Sequence, residues 1–152
     1  MPVKGGDKLR QLLRQQQQAP EARGVAVGFF ATARYPDGTP VTNVAAWNEW
    51  GTEASAERPF DIPERPFMRP TVRNEREAVR QMLRARVDGR TMTVTTQDAS
   101  AIGAYMQGRI QQAITRLRTP PNAPSTVARK GSSNPLLDTG FMRLNVSFEV
   151  LR

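Results

Sequence analysis

The feature that most constrains this chain is a stripe of apolar residues near its C-terminal third. Ile102, Met106, Ile110, Ala113, Ile114 and Leu117 recur at i, i+4, i+8, i+11, i+12 and i+15. That spacing predicts one long amphipathic helix ending near Leu117, because residues three and four apart share a helix face. Thr95 or Thr96 is placed to cap it, with Asp98 in the first turn, where the helix dipole favours an acid. A helix with one apolar side needs a cover, and two strand-like segments offer it. In residues 24–30, Val25, Val27 and Phe29 alternate with Ala26, Gly28 and Phe30; in residues 144–151, Leu144, Val146, Phe148 and Val150 alternate with polar residues. Period-2 alternation predicts half-buried strands.

A second long helix is expected to start with Thr71 as N-cap and to run to Val87, ending at Asp88-Gly89. Val72, Val79, Met82, Leu83 and Val87 would form its apolar side. A shorter helix is expected at residues 41–51, closed by Gly51, and a turn at Tyr35-Pro36-Asp37-Gly38, where Pro presets φ and Asp-Gly supplies the bend. Leu9, Leu12 and Leu13 suggest a further, weaker helix over residues 4–18, and residues 90–94 form a short strand or linker. Residues 52–66 and 119–135 are rich in Pro, Ser, Asn and charge; the second holds four Pro and is expected to be a mobile loop with almost nothing to bury. The fold class that results is α+β, a small antiparallel β-sheet packed against two long helices with long mobile loops. The organisation is an N-terminal arm at 1–23 and a single domain at 24–152, in keeping with 152 residues.

Composition narrows the chemistry. The chain has no Cys and no His, which excludes disulfides, thiol nucleophiles and imidazole or thiolate metal sites. It has no P-loop and no GxGxxG pattern, so no cofactor and no metal is expected. Glu49, Asp61, Glu64 and Asp138 occur singly, beside turn or cap residues, and a hydrolase working through Glu49 or Asp138 has no supporting constellation; the expectation is not an enzyme. The N-terminus lacks a signal-peptide pattern and no apolar run reaches membrane length, so synthesis in the cytosol is expected.

The net charge is +8, and only Lys4, Lys8 and Lys130 among the basic residues are not Arg. Residues 61–90 hold eight Arg against five acids. Within them Arg69, Arg73, Arg76, Arg80 and Arg84 step by 4, 3, 4 and 4, which draws one stripe along a helix. Such a stripe meets phosphates or an acidic partner, or else is a solvated face with Glu75 and Glu77 in local ion pairs. A nucleic-acid-binding protein using this stripe is therefore the alternative function. Trp47 and Trp50, three apart on the short helix, either pack in the core or anchor a protein interface, where Trp and Arg are enriched.

Three blocks together resemble a known family. They are Val44-Ala45-Ala46-Trp47-Asn48-Glu49-Trp50-Gly51-Thr52, then Ile62-Pro63-Glu64-Arg65-Pro66-Phe67-Met68-Arg69-Pro70-Thr71, then residues 121–131 leading into Pro135-Leu136-Leu137-Asp138-Thr139-Gly140. In this order they resemble the small neck or tail-completion proteins of long-tailed bacteriophages, over residues 24–152. The resemblance implies a structural virion protein that joins head and tail as a ring, commonly of six copies. Its implied partners are further copies of itself, a head-completion or connector protein, a tail tube or tail-terminator protein, and, non-specifically, packaged DNA; no membrane is implied. The implied location is the host cytoplasm during assembly and the virion neck afterwards. On this reading Phe67 and Met68 would plug a neighbouring surface, and Arg65 and Arg69 would pair with acids such as Glu49 or Glu53 of an adjacent subunit. Arg129 and Lys130 would meet an acidic surface or DNA; Asp138, by its place in Leu137-Asp138-Thr139-Gly140 most simply a cap or turn acid, is a further interface candidate.

Overall fold

The computed structural model describes residue 10 and residues 21–56, 60–89 and 93–152. Apart from Arg10, the helix expected over residues 4–18 lies outside the described residues, as do residues 90–92 of the connector. In chain order the elements are β1 (Glu21–Ala22), β2 (Gly24–Gly28), α1 (Val41–Trp50), α2 (Met68–Arg84), β3 (Val94–Thr95), α3 (Thr96–Arg116), α4 (Pro124–Lys130), α5 (Phe141–Leu144) and β4 (Ser147–Leu151). The class is α+β, with two small antiparallel pairs of strands.

The organising element is α3. Ile102, Gly103, Met106, Ile110 and Ile114 are buried along one side of it, the side the apolar stripe marks. Thr95 caps it: Asp98 N donates to Thr95 Oγ1 at 3.1 Å, and that hydroxyl donates to Asp98 Oδ2 at 2.8 Å. The pair β2–β4 lies across α3, with Gly24 opposite Leu151, Ala26 opposite Glu149 and Gly28 opposite Ser147. Gly103 is where the sheet comes closest. A methyl group there would sit 2.4 Å from the Phe148 ring, so only glycine allows the approach.

Where the chain leaves α3, the core is completed from scattered segments. Val41 and Ala45 of α1, Phe67, Ile110, Ile114, Leu136, Met142 and Val146 form one buried cluster. Each of its side chains larger than Ala45 contributes about 2 kcal/mol on burial. Two departures from the sequence expectation lie here. Leu144 belongs to the single-turn α5 and is 67% exposed, so β4 starts only at Ser147. Residues 119–135 are not a bare loop: α4 forms within them, closed by Gly131 in the left-handed conformation, and Asn134 near their end is buried, as is Leu136 just beyond it. Asn134 is what the composition concealed. Its Nδ2 donates to Thr115 O at 2.9 Å and its Oδ1 accepts from Leu136 N at 3.0 Å, so one polar side chain fastens the segment to α3.

Helix α2 also differs. It starts at Met68, three residues before the expected cap, and Thr71 lies in its first turn with Oγ1 donating to Phe67 O at 2.6 Å. Pro70 is tolerated there because the first N–H groups of a helix have no partner within the helix anyway. Of the expected apolar side, Val79, Met82, Leu83 and Val87 are half-buried, but Val72 is 54% exposed, and the fully buried positions are Thr71 and Glu75. The helical span stops at Arg84, although Val87 N still donates to Leu83 O at 2.8 Å.

Candidate interface site

Phe67, at the N-cap of α2, has no side-chain acceptor for the free N–H groups of the first turn. The acceptor comes from α1. Glu49 is 1% exposed, and its Oε2 accepts from Phe67 N (2.8 Å) and Met68 N (2.9 Å) while its Oε1 accepts from Arg69 N (2.9 Å). The carboxylate thus caps a helix 18 to 20 residues further along the chain. Arg69 closes the arrangement. Its Nε donates to Glu49 Oε1 at 3.0 Å, and its Nη2 donates to Glu49 O at 2.7 Å and to the Glu64 carboxylate. Burial alone would raise the Glu49 pKa, but the N–H groups of Met68, Arg69 and Phe67 together with the guanidinium outweigh it and hold the carboxyl below its usual range.

The turn between the two helices depends on Gly51. Its φ is +70°, and a methyl group there would stand 2.9 Å from Ile62 O. Two backbone hydrogen bonds then tie Thr52 to Ile62, at 2.8 and 2.9 Å. Next to them Arg65, a nearly buried guanidinium, reaches outward in the chain rather than to an acid. Its Nε donates to Pro120 O and its Nη2 to Pro121 O, both at 2.9 Å, and its Nη1 donates to Asn48 Oδ1 at 3.4 Å. Its backbone N donates to Asn48 O at 2.7 Å. Two adjacent proline carbonyls have no helix or sheet to pair with, and the planar fork of an Arg satisfies both.

These contacts revise the roles expected for five residues. Phe67 is 1% exposed and packs edge-on against Phe29 inside the core, so it cannot plug a neighbouring surface. Met68 packs against the same cluster. Arg69 and Glu49 pair with each other within one chain rather than across subunits, and Arg65 is spent on carbonyls. In each case a partner distant in sequence satisfies a group that looks unpartnered in the linear chain.

The remaining candidates divide into two places. Trp47, Lys130, Arg129 and Asp138 border an open cleft of about 790 Å³, together with Asn48 and Arg65. Arg129 and Asp138 are exposed, whereas Lys130 is partly covered and its Nζ donates to Asn134 O (3.3 Å) and Pro135 O (3.4 Å). Burial pulls the Lys130 pKa down. Across the cleft Tyr35 has its pKa raised by burial first and then by the carboxylates of Asp138 and Asp37. Trp50, by contrast, faces away from the core at 62% exposure, with the Arg69 guanidinium 5.7 Å above its ring. The pair of tryptophans is therefore split, and core packing does not describe Trp50.

Arg73, Arg76, Arg80 and Arg84 lie along the exposed face of α2. Glu75 does not neutralise them. It turns to α3, where Tyr105 donates to its Oε2 and Arg109 Nε donates to its Oε1 at 2.6 Å, and these two partners hold its carboxyl below the usual range. This three-residue bridge between the long helices was not visible in the sequence, because Glu75 reads equally well as a partner for Arg on its own helix. Glu77 keeps the local role, 3.6 Å from Arg80 and 4.0 Å from Arg84. Compared with models of known protein families, with curated proteins and with solved structures, the chain has no match.

Proposed function

We propose that this chain is a structural virion protein of a tailed bacteriophage, which joins head and tail by assembling as a ring at the neck. One observation supports the reading above the rest: the three sequence blocks that carry the resemblance come together in space. Residues of the first block supply the Glu49 cap and Asn48, residues of the second supply Arg65 and Arg69, and the third block begins at Pro121, one of the two carbonyls that Arg65 holds. Motifs far apart in the chain thus build one body: a clasp, made of the Glu49 cap with the Arg65 and Arg69 contacts, and the cleft beside it.

The clasp is the rigid frame of the proposed interface, and its rim supplies the contacts. Trp50 at 62% and Phe60 at 59% exposure are large apolar side chains left open beside it. Trp47, Arg129, Lys130 and Asp138 around the cleft add the polar rim. The partners are further copies of the chain, probed first as a six-membered ring, and the connector and tail proteins that such a ring would adjoin. The role is not enzymatic on this reading: Glu49, the acid best enclosed by protein, is fully occupied in capping a helix. The protein would be made in the host cytoplasm and end in the particle neck.

The test is to image particles assembled with this chain carrying a small tag and to locate the tag. Ring-shaped density at the head–tail junction is expected. Tag density elsewhere in the particle, or particles complete without the chain, overturns the reading.

A further inference from the structure

The exposed face of α2 carries a charge that nothing in the fold consumes. Arg73, Arg76, Arg80 and Arg84 step by 3, 4 and 4, which at 100° per residue confines them to an arc of about 80°. They span about 16 Å along the helix axis. Arg73 and Arg76 have no ion-pair partner among the described residues, and only Glu77 accompanies Arg80 and Arg84, whose side chains are 50% and 75% exposed. Glu75, the other acid of the helix, is held on the opposite side by Tyr105 and Arg109. Four cations against one anion on a face with no core function is more charge than solubility needs. The cations are also all Arg, whose planar guanidinium binds phosphate oxygens in pairs, where Lys offers only a point charge.

We propose that this face is a binding surface for the phosphate backbone of double-stranded DNA. The chemistry of the helix selects the duplex over other polyanions. No aromatic residue occurs in Met68–Arg84, so the face has no platform on which unpaired bases could stack, as single-strand binding requires. A stripe of about 16 Å exceeds the ~12 Å opening of the B-form major groove, so Arg73 and Arg84 at its ends reach phosphates on both rims. The major groove of A-form RNA is too narrow and deep to admit a helix. Phosphate contacts carry no base identity, so the binding is independent of sequence. The weak exposed pairs to Glu77 open to solvent or phosphate at little cost. This inference does not rest on the neck reading, since a chain that forms no ring still carries the stripe.

The experiment is fluorescence anisotropy of a labelled duplex DNA of about 30 base pairs, titrated with the full chain from 50 to 200 mM salt. Four phosphate contacts predict a slope of log affinity on log salt of about −3.6, which is roughly a hundredfold loss over that range. Changing Arg73, Arg76, Arg80 and Arg84 to Gln together should remove the binding and flatten the slope. A control with Arg23, Arg116, Arg118 and Arg152 changed to Gln removes as much charge elsewhere and should retain most of it. Equal losses in the two variants overturn the proposal in favour of net charge alone. Tighter binding to single-stranded DNA or duplex RNA, or equal affinity for polyglutamate, overturns it in favour of another partner. Absence of salt-sensitive binding by the unaltered chain overturns it without any variant.

Discussion

The two halves of α2 use the same residue type in opposite ways. At its start Arg69 is consumed by the fold: it joins a buried carboxylate, a carbonyl and a second acid, with its plane near the Trp50 ring. Four residues on, and at every step to Arg84, the guanidinium groups point to solvent. The sequence period is continuous through all five, and the difference lies in what the rest of the chain brings alongside. Glu49 and Glu64 approach the first turn; the later turns receive α3 on one side only. A regular charge stripe is thus a property of a helix, whereas its availability is a property of the fold around it.

The largest expected effect that would break this contrast comes from Glu49. Changing Glu49 to Ala leaves the N–H groups of Phe67, Met68 and Arg69 without their acceptor in a buried setting and should cost about 3 kcal/mol. Urea unfolding followed by circular dichroism measures it; a loss below the usual ~0.5 kcal/mol of a surface substitution would show that solvent replaces the cap. Next in size is Arg65 to Ala. It frees the Pro120 and Pro121 carbonyls and empties the buried place of the Arg65 side chain, and should cost about 2 kcal/mol. Hydrogen exchange should rise in residues 121–137 more than in β2 or β4, and a uniform rise would mean that Arg65 supports the whole core instead.

Acid provides a graded version of the same test. Glu49 and Glu75 both have folded pKa values below the ordinary carboxylate value. Their contributions are therefore complete above the unfolded pKa of about 4.3 and are lost as pH falls through the lower folded values. The unfolding midpoint should hold level from neutral pH to about 5 and then drop, and Glu49 to Gln should flatten part of that drop. A Glu49 to Gln profile parallel to that of the unaltered chain would remove Glu49 from the account. The smallest expected effect concerns the open half of the helix. Arg76 to Gln should leave the unfolding midpoint unchanged while weakening duplex binding, whereas Arg69 to Gln should lower the midpoint. If the two variants behave alike, the division of the helix into a structural and an available part fails.

Much of the frame was legible because its signals are local. The α3 stripe, its Thr95 cap, the Gly51 stop and the alternation of β2 against β4 each depend on residues within a few positions of one another. The chain's two best strands share the need to cover α3, which brings them side by side; the structure pairs them antiparallel. The misreadings share a different cause. Thr71 looked like a cap because the acceptor that does the capping is 22 positions earlier. Phe67 looked like an exposed plug because a proline-rich neighbourhood suggests a loop, yet α1 and Phe29 enclose it. Residues 119–135 looked empty because the groups that order them, Asn134 and Arg65, are polar and act on backbone carbonyls rather than by apolar burial.

By itself the sequence determined which segments could be helix or strand, which faces had to be covered, and that no thiol or imidazole chemistry is available to the chain. Tertiary structure alone decided which charged groups are spent and which remain. Periodicity depends on the local geometry of the backbone, repeating every two or 3.6 residues. The fate of a carboxylate or a guanidinium depends on unpaired N–H and C=O groups that another segment leaves within its reach. For Glu49, Arg65 and Arg69 those groups lie on neighbouring segments of the fold; for Arg73, Arg76, Arg80 and Arg84 no other segment brings any, and their charge stays at the surface.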